Sequence, residues 1–347
     1  MTLNDSFRGP GGEACCDTPR RGPEASRDQK RERANKIANW IVLAIFASAI
    51  HPRGLSAQTV DDGIMVTKSA VLSGTLYTHD AWDHYWEGTN NRTNGNLGTV
   101  TTQTMDFNAV YGFKNRINVL GTVPYIWTQA SQGVLHGQEG FQDLSLAVKY
   151  ELIRWQLRQW GTVRFFPVVS GSIPLNSYEP DFQPMSIGLH AKTIAPRATL
   201  NFQGLHGVYG NGSAAYVFRS NVTLDRNYYY TDGQLYLSNQ VAMPNQFVYS
   251  VAAGYLGHGM MFVGTFAEQQ TRGGGDIRPQ DLPFISNRMN FSKAGGAAVI
   301  PIPLHMFYGL QYWFMYSNTF DGRNVGQSNT FMSGLMYQIQ FHRRRAQ

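Results

Sequence analysis

Between Gly140 and Ile153 the chain reads GFQDLSLAVKYELI, and its residues sort by parity. Leu144, Leu146, Val148, Tyr150 and Leu152 fall on one side of an extended strand; Asp143, Ser145, Ala147, Lys149 and Glu151 fall on the other. Side chains alternate across a strand with a period of two, so each set makes one face. The pattern returns along the chain. Met105, Phe107, Ala109, Tyr111 and Phe113 alternate with Thr104, Asp106, Asn108 and Gly112. Val163, Phe165 and Val169 alternate with Thr162, Arg164 and Ser170, and Ala198, Leu200 and Phe202 with Arg197, Thr199 and Asn201. Leu304, Met306, Tyr308, Leu310, Tyr312, Phe314 and Tyr316 share one face, as do Leu335, Tyr337, Ile339 and Phe341. No stretch beyond residue 57 carries a comparable helical period.

Segments of about ten residues, greasy on one side and polar on the other, are the signature of a transmembrane β-barrel. The expected fold is all-β: a closed antiparallel transmembrane barrel of about twelve strands. Short connections fall at 114–116, 154–159, 204–211, 257–259 and 301–303, and long ones at 86–97, 129–140, 174–193, 221–245, 271–289 and 318–327. Short turns belong to the periplasmic side and long loops to the outside. Counting QLYLSNQV, within 221–245, as wall gives fourteen strands instead. Aromatic pairs near strand ends, Tyr125 with Trp127, Trp155 with Trp160 and Tyr312 with Trp313, are expected at the two membrane interfaces.

Composition agrees with this. Of 347 residues 15% are charged and 13% aromatic, with 36 Gly and 18 Tyr. That is charge-poor beside the usual quarter or so, while the mean hydropathy of −0.30 rules out a bundle of apolar helices. Residues 1–57 stand apart. A charged run precedes the apolar segment IANWIVLAIFASAI, whose 14 residues from Ile37 to Ile50 are too short to span a bilayer comfortably. They suit a signal-peptide core, with removal expected after Ala57 although Leu55 at the −3 position is imperfect. The domains are then a presequence, 1–57, and an outer-membrane barrel, 58–347.

The presequence takes with it nine basic and six acidic residues, so the formal charge of +6 for the whole chain falls to +3. No clustered basic patch remains for a nucleic acid. Both cysteines, Cys15 and Cys16, lie in the removed part, which leaves no disulfide, thiolate or cysteine metal site in the barrel.

The chemistry-bearing positions are few. Asp143, Lys149 and Glu151, with Asp106, Asn108, Arg164 and Arg197, fall on the polar face and are the candidates for the lumen and its constriction. One reading is a salt-bridge ladder along the wall, with Arg219 as a further partner; the other is a polar constriction that a solute passes. Charges near hydrocarbon need pairing in both. Pro124 cannot donate to a strand ladder and marks a kink, or in a second reading a lateral gap in the wall. The histidines are scattered, without HExxH or His-x-His spacing, and TRGGGD lacks the strand–loop–helix setting of a phosphate loop. No enzyme, cofactor or metal is expected.

The block RINVLGTVPYIWTQ followed by GQEGFQDLSLAVKYEL resembles the outer-membrane transporter family named for the MetA pathway of phenol degradation. The shared features are a strand ending in VPYI, a polar loop, and G-x-x-D-L-x-L-x-x-K-Y, carried by Gly140, Asp143, Leu144, Leu146, Lys149 and Tyr150; YTHDAWDHYWEG resembles the family's first hairpin. The C-terminus departs from it, because Phe341 is followed by HRRRAQ where barrels end on an aromatic residue. The resemblance implies passive uptake of small hydrophobic or aromatic compounds across the outer membrane. Leu120, Pro124 and Ile126, which make the inner face partly greasy, suit that better than a general porin would. The alternative is a structural or adhesive barrel that transports nothing. Expected partners are outer-membrane lipid and lipopolysaccharide, the barrel assembly machinery and small hydrophobic solutes.

Overall fold

The computed structural model describes residues 58–278, 284–303 and 309–341. The presequence, the first residues of the strand expected from Leu304 and the HRRRAQ tail lie outside them. Twelve strands form the wall: β1 (Ala70–Trp82), β2 (Val100–Lys114), β3 (Ile117–Ala130), β4 (Glu139–Phe141, Asp143–Tyr150 and Ile153–Leu157, one strand with two interruptions), β5 (Gly161–Pro174), β6 (Thr193–Gly204), β7 (Val208–Arg219), β8 (Gln246–Gly257), β9 (Met260–Thr271), β10 (Asn290–Pro301), β11 (Leu310–Arg323) and β12 (Asn329–Gln340). Each pairs antiparallel with its neighbours in chain order, and β12 closes on β1 from Ala70↔Gln340 to Ala81↔Asn329. Closure leaves no unpaired edge, which is what a sheet in hydrocarbon requires.

The connections alternate as the pattern implied. Two short ones use His-Gly: His206 and Gly207 have φ of 60° and 84°, and His258 and Gly259 have 54° and 77°. Two consecutive left-handed residues make the tight turn whose twist matches a hairpin. The 220–245 connection is an external hairpin. Val222–Thr223 pairs with Gln240–Val241, Tyr229–Thr231 pairs with Gln234–Tyr236, and neither joins the wall, so the fourteen-strand count is excluded.

Facing follows the alternation. On β4 Leu146 is 54% exposed and Val148 49%, whereas Lys149 and Glu151 are fully buried. On β2 Phe107, Tyr111 and Phe113 are exposed, and on β3 Leu120, Pro124 and Ile126 turn inward. The outward apolar band identifies the bilayer as the surrounding medium, and the chain is an outer-membrane barrel. Trp155 and Trp160 are exposed beside the short turn after β4, as an interfacial girdle requires. Trp313 is a correction. It is 5% exposed and lies among the lumen residues, because parity turns it away from its exposed neighbour Tyr312.

Pro124 marks an irregularity, without a gap. The β3–β4 register slips by one between Thr122↔Ser145 and Tyr125↔Phe141. Gln142 at the slip donates its N–H to the Pro124 carbonyl at 3.0 Å, so the ladder stays joined. The second break in β4, at Glu151–Leu152, is held by Leu152 N–H to the Phe165 carbonyl at 3.0 Å.

Facing has a direct test. Leu146→Arg should destabilise the barrel by about 2–4 kcal/mol, the cost of a cation on the lipid face near mid-bilayer, whereas Ser145→Arg, on the lumen face, should cost far less. Urea titration of both variants folded into lipid vesicles measures the difference.

Candidate functional site

The segment ahead of β1 runs inside the barrel. Ile64 and Val66 pack in one apolar cluster with Leu72, Val110, Leu120, Phe166, Tyr209, Trp313 and other inward wall residues. This internal plug, residues 58–67, occupies the periplasmic half of the lumen, next to the start of β1. Its approach to the wall is close. A Cβ on Gly63 would stand 2.1 Å from Asn201, so only glycine fits there.

Polar contacts seat the plug. Lys149 on β4 donates from Nζ to Asp62 Oδ1 at 2.7 Å and to the Thr59 carbonyl at 3.0 Å, and its ammonium stands 5.5 Å from the Phe166 ring. Asp62 also accepts from the Ile64 N–H at 2.9 Å. Asp61 accepts from the Ser250 hydroxyl on β8 at 3.0 Å and from Thr59 Oγ1 at 2.7 Å, while Asn211 on β7 donates to its backbone carbonyl at 2.7 Å. Gln58 Oε1 accepts from Asn118 at 2.6 Å and from the Val66 N–H at 3.0 Å. The plug is thus bonded to β3, β4, β7 and β8, on widely separated sides of the wall. Burial works against the charge of Asp61, but Arg197, the hydroxyls of Thr59 and Ser250, and Lys149 outweigh it and hold the carboxyl below the usual carboxylate range. At Asp62 burial is the larger influence and pushes the carboxyl up, against the pull of Lys149.

The lumen candidates do share the inner face, but they do not form the ladder expected along the wall. Asp143 and Lys149 are six residues apart, about 20 Å on a strand. Asp143 accepts from the Tyr178 hydroxyl of the β5–β6 loop at 2.7 Å. Glu151 is held by Arg154 at 2.6 and 2.8 Å, three residues on across the strand break. Arg197 donates to Ser213 at 2.9 Å and acts on Asp61 through space. Arg164 lies opposite Arg154 in the β4–β5 register. Arg219 donates from Nε to the Pro244 carbonyl at 2.7 Å rather than to a wall carboxylate. Asn108 links its neighbours, donating to the Asp106 carbonyl at 3.2 Å and accepting from Thr122 Oγ1 at 2.8 Å. The Asp106 carboxylate makes no ion pair among the described residues. The missing partners came from a plug and loops that a strand-by-strand reading cannot bring to the wall. The pair of acidic residues in TVDDGIMV, directly ahead of β1, was the one signal for them.

Beyond the strands the external loops pack on one another. Val222, Leu224, Tyr229, Val241 and Met243 of the β7–β8 loop bury a second cluster with Ala191 and Ile285 of the two flanking loops. Arg226 is bonded to Asp181 across two of these loops. Asp276 of the β9–β10 loop accepts both 2.7 and 2.8 Å bonds from Arg323, and with Asn324 these hold its carboxyl down at about 2. Among the described residues no three acidic, histidine or cysteine side chains gather as a metal site would need. A surface depression of about 500 Å³ lined by Phe262, Gly264, Gly296, Ala298 and Phe314 lies on the lipid side of the wall, apart from the lumen.

No family model and no curated protein matches the chain. Solved structures do. An outer membrane channel from Pseudomonas putida F1 superposes over 82% of this chain and 100% of its own, with a TM-score of 0.64 at 10% identity. The NanC porin covers 76% of this chain and 100% of its own, with a TM-score of 0.43 at 9% identity. The first likeness shows that the fold is that of an outer-membrane channel.

Two expectations follow. Lys149→Met leaves the Asp62 carboxylate buried without its cation and should weaken the seating of the plug by about 3–5 kcal/mol, whereas Lys149→Met with Asp62→Asn should cost much less. Hydrogen exchange of the amides of 58–67 in the folded barrel reads this. The Asp276–Arg323 clasp has a depressed folded pKa, so its contribution is complete above the ordinary 3.8 and is lost as pH falls through about 2. Protease protection of residues 272–278 should therefore persist at pH 4 and fail near pH 2, and in Arg323→Gln, which removes the clasp, it should be weakened already at pH 7.

Proposed function

We propose that this chain is an outer-membrane channel for the passive uptake of small hydrophobic or aromatic compounds. The character of the lumen carries the reading. Leu76, Leu120, Pro124, Ile126, Met315 and Met332 stand on the inner face among threonine and serine hydroxyls. The charges beside them are largely engaged: Lys149 by the plug, Asp143 by a loop tyrosine and Glu151 by Arg154. A general porin presents denser free charge to its solutes. The inner wall here offers apolar surface with scattered hydroxyls, which a weakly polar solute crosses without desolvating a charge. Asp106, Asn108, Arg164 and Arg197 are the polar groups such a solute passes. Export behind a presequence ending at Ala57, insertion by the barrel assembly machinery, and contact with lipopolysaccharide through the outward aromatic band belong to the same reading. No reaction is assigned to the chain.

The internal plug favours a second reading, a barrel of structural or adhesive use whose lumen is permanently filled. Growth separates the two. A strain lacking the protein should grow several-fold more slowly than its parent on micromolar aromatic carbon sources and equally on acetate, and the gene restored in trans should reverse the defect. Equal growth on the whole panel, with no flux of toluene or benzyl alcohol into vesicles carrying the purified barrel, would leave only the structural reading.

A further inference from the structure

A cavity of about 200 Å³ lies inside the barrel between the plug and the wall. Leu76, Val110, Leu120, Trp313 and Met336 give it an apolar wall on β1, β2, β3, β11 and β12, and Val60 of the plug lies across it. Its polar surface is confined to Gln58 and Thr59 of the plug and to Asn108 and Thr122 of the wall. We propose that this cavity is a binding site for one small neutral aromatic molecule that carries one hydrogen-bonding substituent. The proposal rests on the channel reading above and narrows its solute.

Size sets the first limit. An apolar cavity of about 150 Å³ holds benzene, so 200 Å³ takes one substituted ring or at most two fused rings, and three fused rings or a long acyl chain do not fit. Charge sets the second. No ionisable side chain lines the cavity, and a charged solute would lose its hydration there with nothing to replace it. Asn108 and Thr122 set the third. Asn108 spends one amide N–H on the Asp106 carbonyl and one lone pair on the Thr122 hydroxyl. That leaves an N–H, a lone pair on Asn108 Oδ1 and the lone pairs of Thr122 Oγ1 for a ligand. The lining also offers the indole of Trp313, whose Nε1 donates to Gln311 at 3.4 Å, and Met336 with its soft sulfur, both good ring neighbours.

The plug completes the site. Gln58, which borders the cavity, is held by Asn118 and by the Val66 N–H, so the plug side of the cavity is tied to the wall. A solute held between plug and wall binds the plugged barrel better than an unplugged one, and by linkage it stabilises the plug in its seat. Binding and seating are therefore two readouts of one event.

The test uses the purified barrel in detergent micelles, with ¹⁹F resonances of 4-fluorophenol, fluorobenzene, 4-fluorobenzylammonium and 9-fluoroanthracene as probes. A micelle blank corrects for partitioning. The two neutral single-ring probes should bind saturably, one per barrel, and should slow hydrogen exchange across 58–67; the cationic and three-ring probes should not. Asn108→Leu should weaken 4-fluorophenol about tenfold, roughly the worth of one hydrogen bond, and leave fluorobenzene nearly unchanged. Val110→Trp takes up much of the cavity and should weaken saturable binding about tenfold or more. Leu120→Trp narrows it from another strand and serves if the first variant loses the heat-modifiable mobility of a folded barrel. Saturable binding unchanged in both narrowed variants, or equal binding of the three-ring or cationic probe, would overturn the assignment, as would no binding at all. The outcome separates from that of the channel reading. Aromatic uptake without binding removes the site and leaves the channel; binding without uptake removes the channel and leaves a ligand site in a barrel that does not transport.

Discussion

Hydrocarbon offers the backbone no hydrogen-bonding partner, and this one constraint orders the rest of the structure. Each unpaired N–H or C=O in the bilayer costs several kcal/mol, so the sheet must close, and it closes here through twelve antiparallel pairings. Closure creates an inside. Alternation then divides every strand between a lipid face, where Leu146 and Val148 stand, and a lumen face, where Lys149 and Glu151 are buried without touching lipid. Even the exceptions respect the constraint. Pro124 brings no N–H, but where the register slips beside it Gln142 donates to the Pro124 carbonyl, so the two strands stay joined across the slip.

An inside must also be filled, and the filling explains the charges. A buried lysine alone would be driven neutral or would unfold its surroundings. Lys149 is tolerated because Asp62, the Thr59 carbonyl and the Phe166 ring surround its ammonium. The pair contributes little net stability beyond what an apolar pair of equal volume would. Its consequence is positional. A carboxylate that can be satisfied at one place in the lumen fixes the register of a short segment that has no ladder of its own, and Asp61, bonded to Ser250 on β8, and Gln58, bonded to Asn118 on β3, fix it at two more places.

Much of this was legible in the sequence, and for a physical reason. A strand with lipid on one side must be apolar at every second position over its whole length, so facing on β2, β4, β5 and β6 could be read residue by residue. Turn spacing likewise pointed to twelve strands with 221–245 outside the wall, and left fourteen open. What escaped was whatever does not repeat. The plug has neither period nor length, only two aspartates before the first strand. Trp313 was misplaced because aromatic content near a strand end was weighed ahead of parity. The partners of Asp143, Lys149 and Glu151 were sought on adjacent strands, the only neighbours that strand order predicts, whereas they reside on a loop, the plug and the far side of a strand break.

The same division bears on how a wall of ordinary residues acquires selectivity. A closed barrel of this width has no folded core of its own, so its inner side chains meet water unless something is placed against them. The plug turns one arc of the inner face, from β11 through β3, into the wall of a bounded cavity, while on the β4, β7 and β8 sides it is tied down by polar bonds. Apolar contact with a solute is thereby gathered on one side and the plug's charged anchorage on the other, with the neutral Gln58–Asn118 bond to β3 at the cavity's edge. A plug seated by charge on all sides would leave no dry surface, and one seated by apolar contact alone would have no fixed register to shape a cavity. Anchorage by Asp61 and Asp62 at one side is therefore the condition under which Leu76, Leu120, Trp313 and Met336 can discriminate by size at the other.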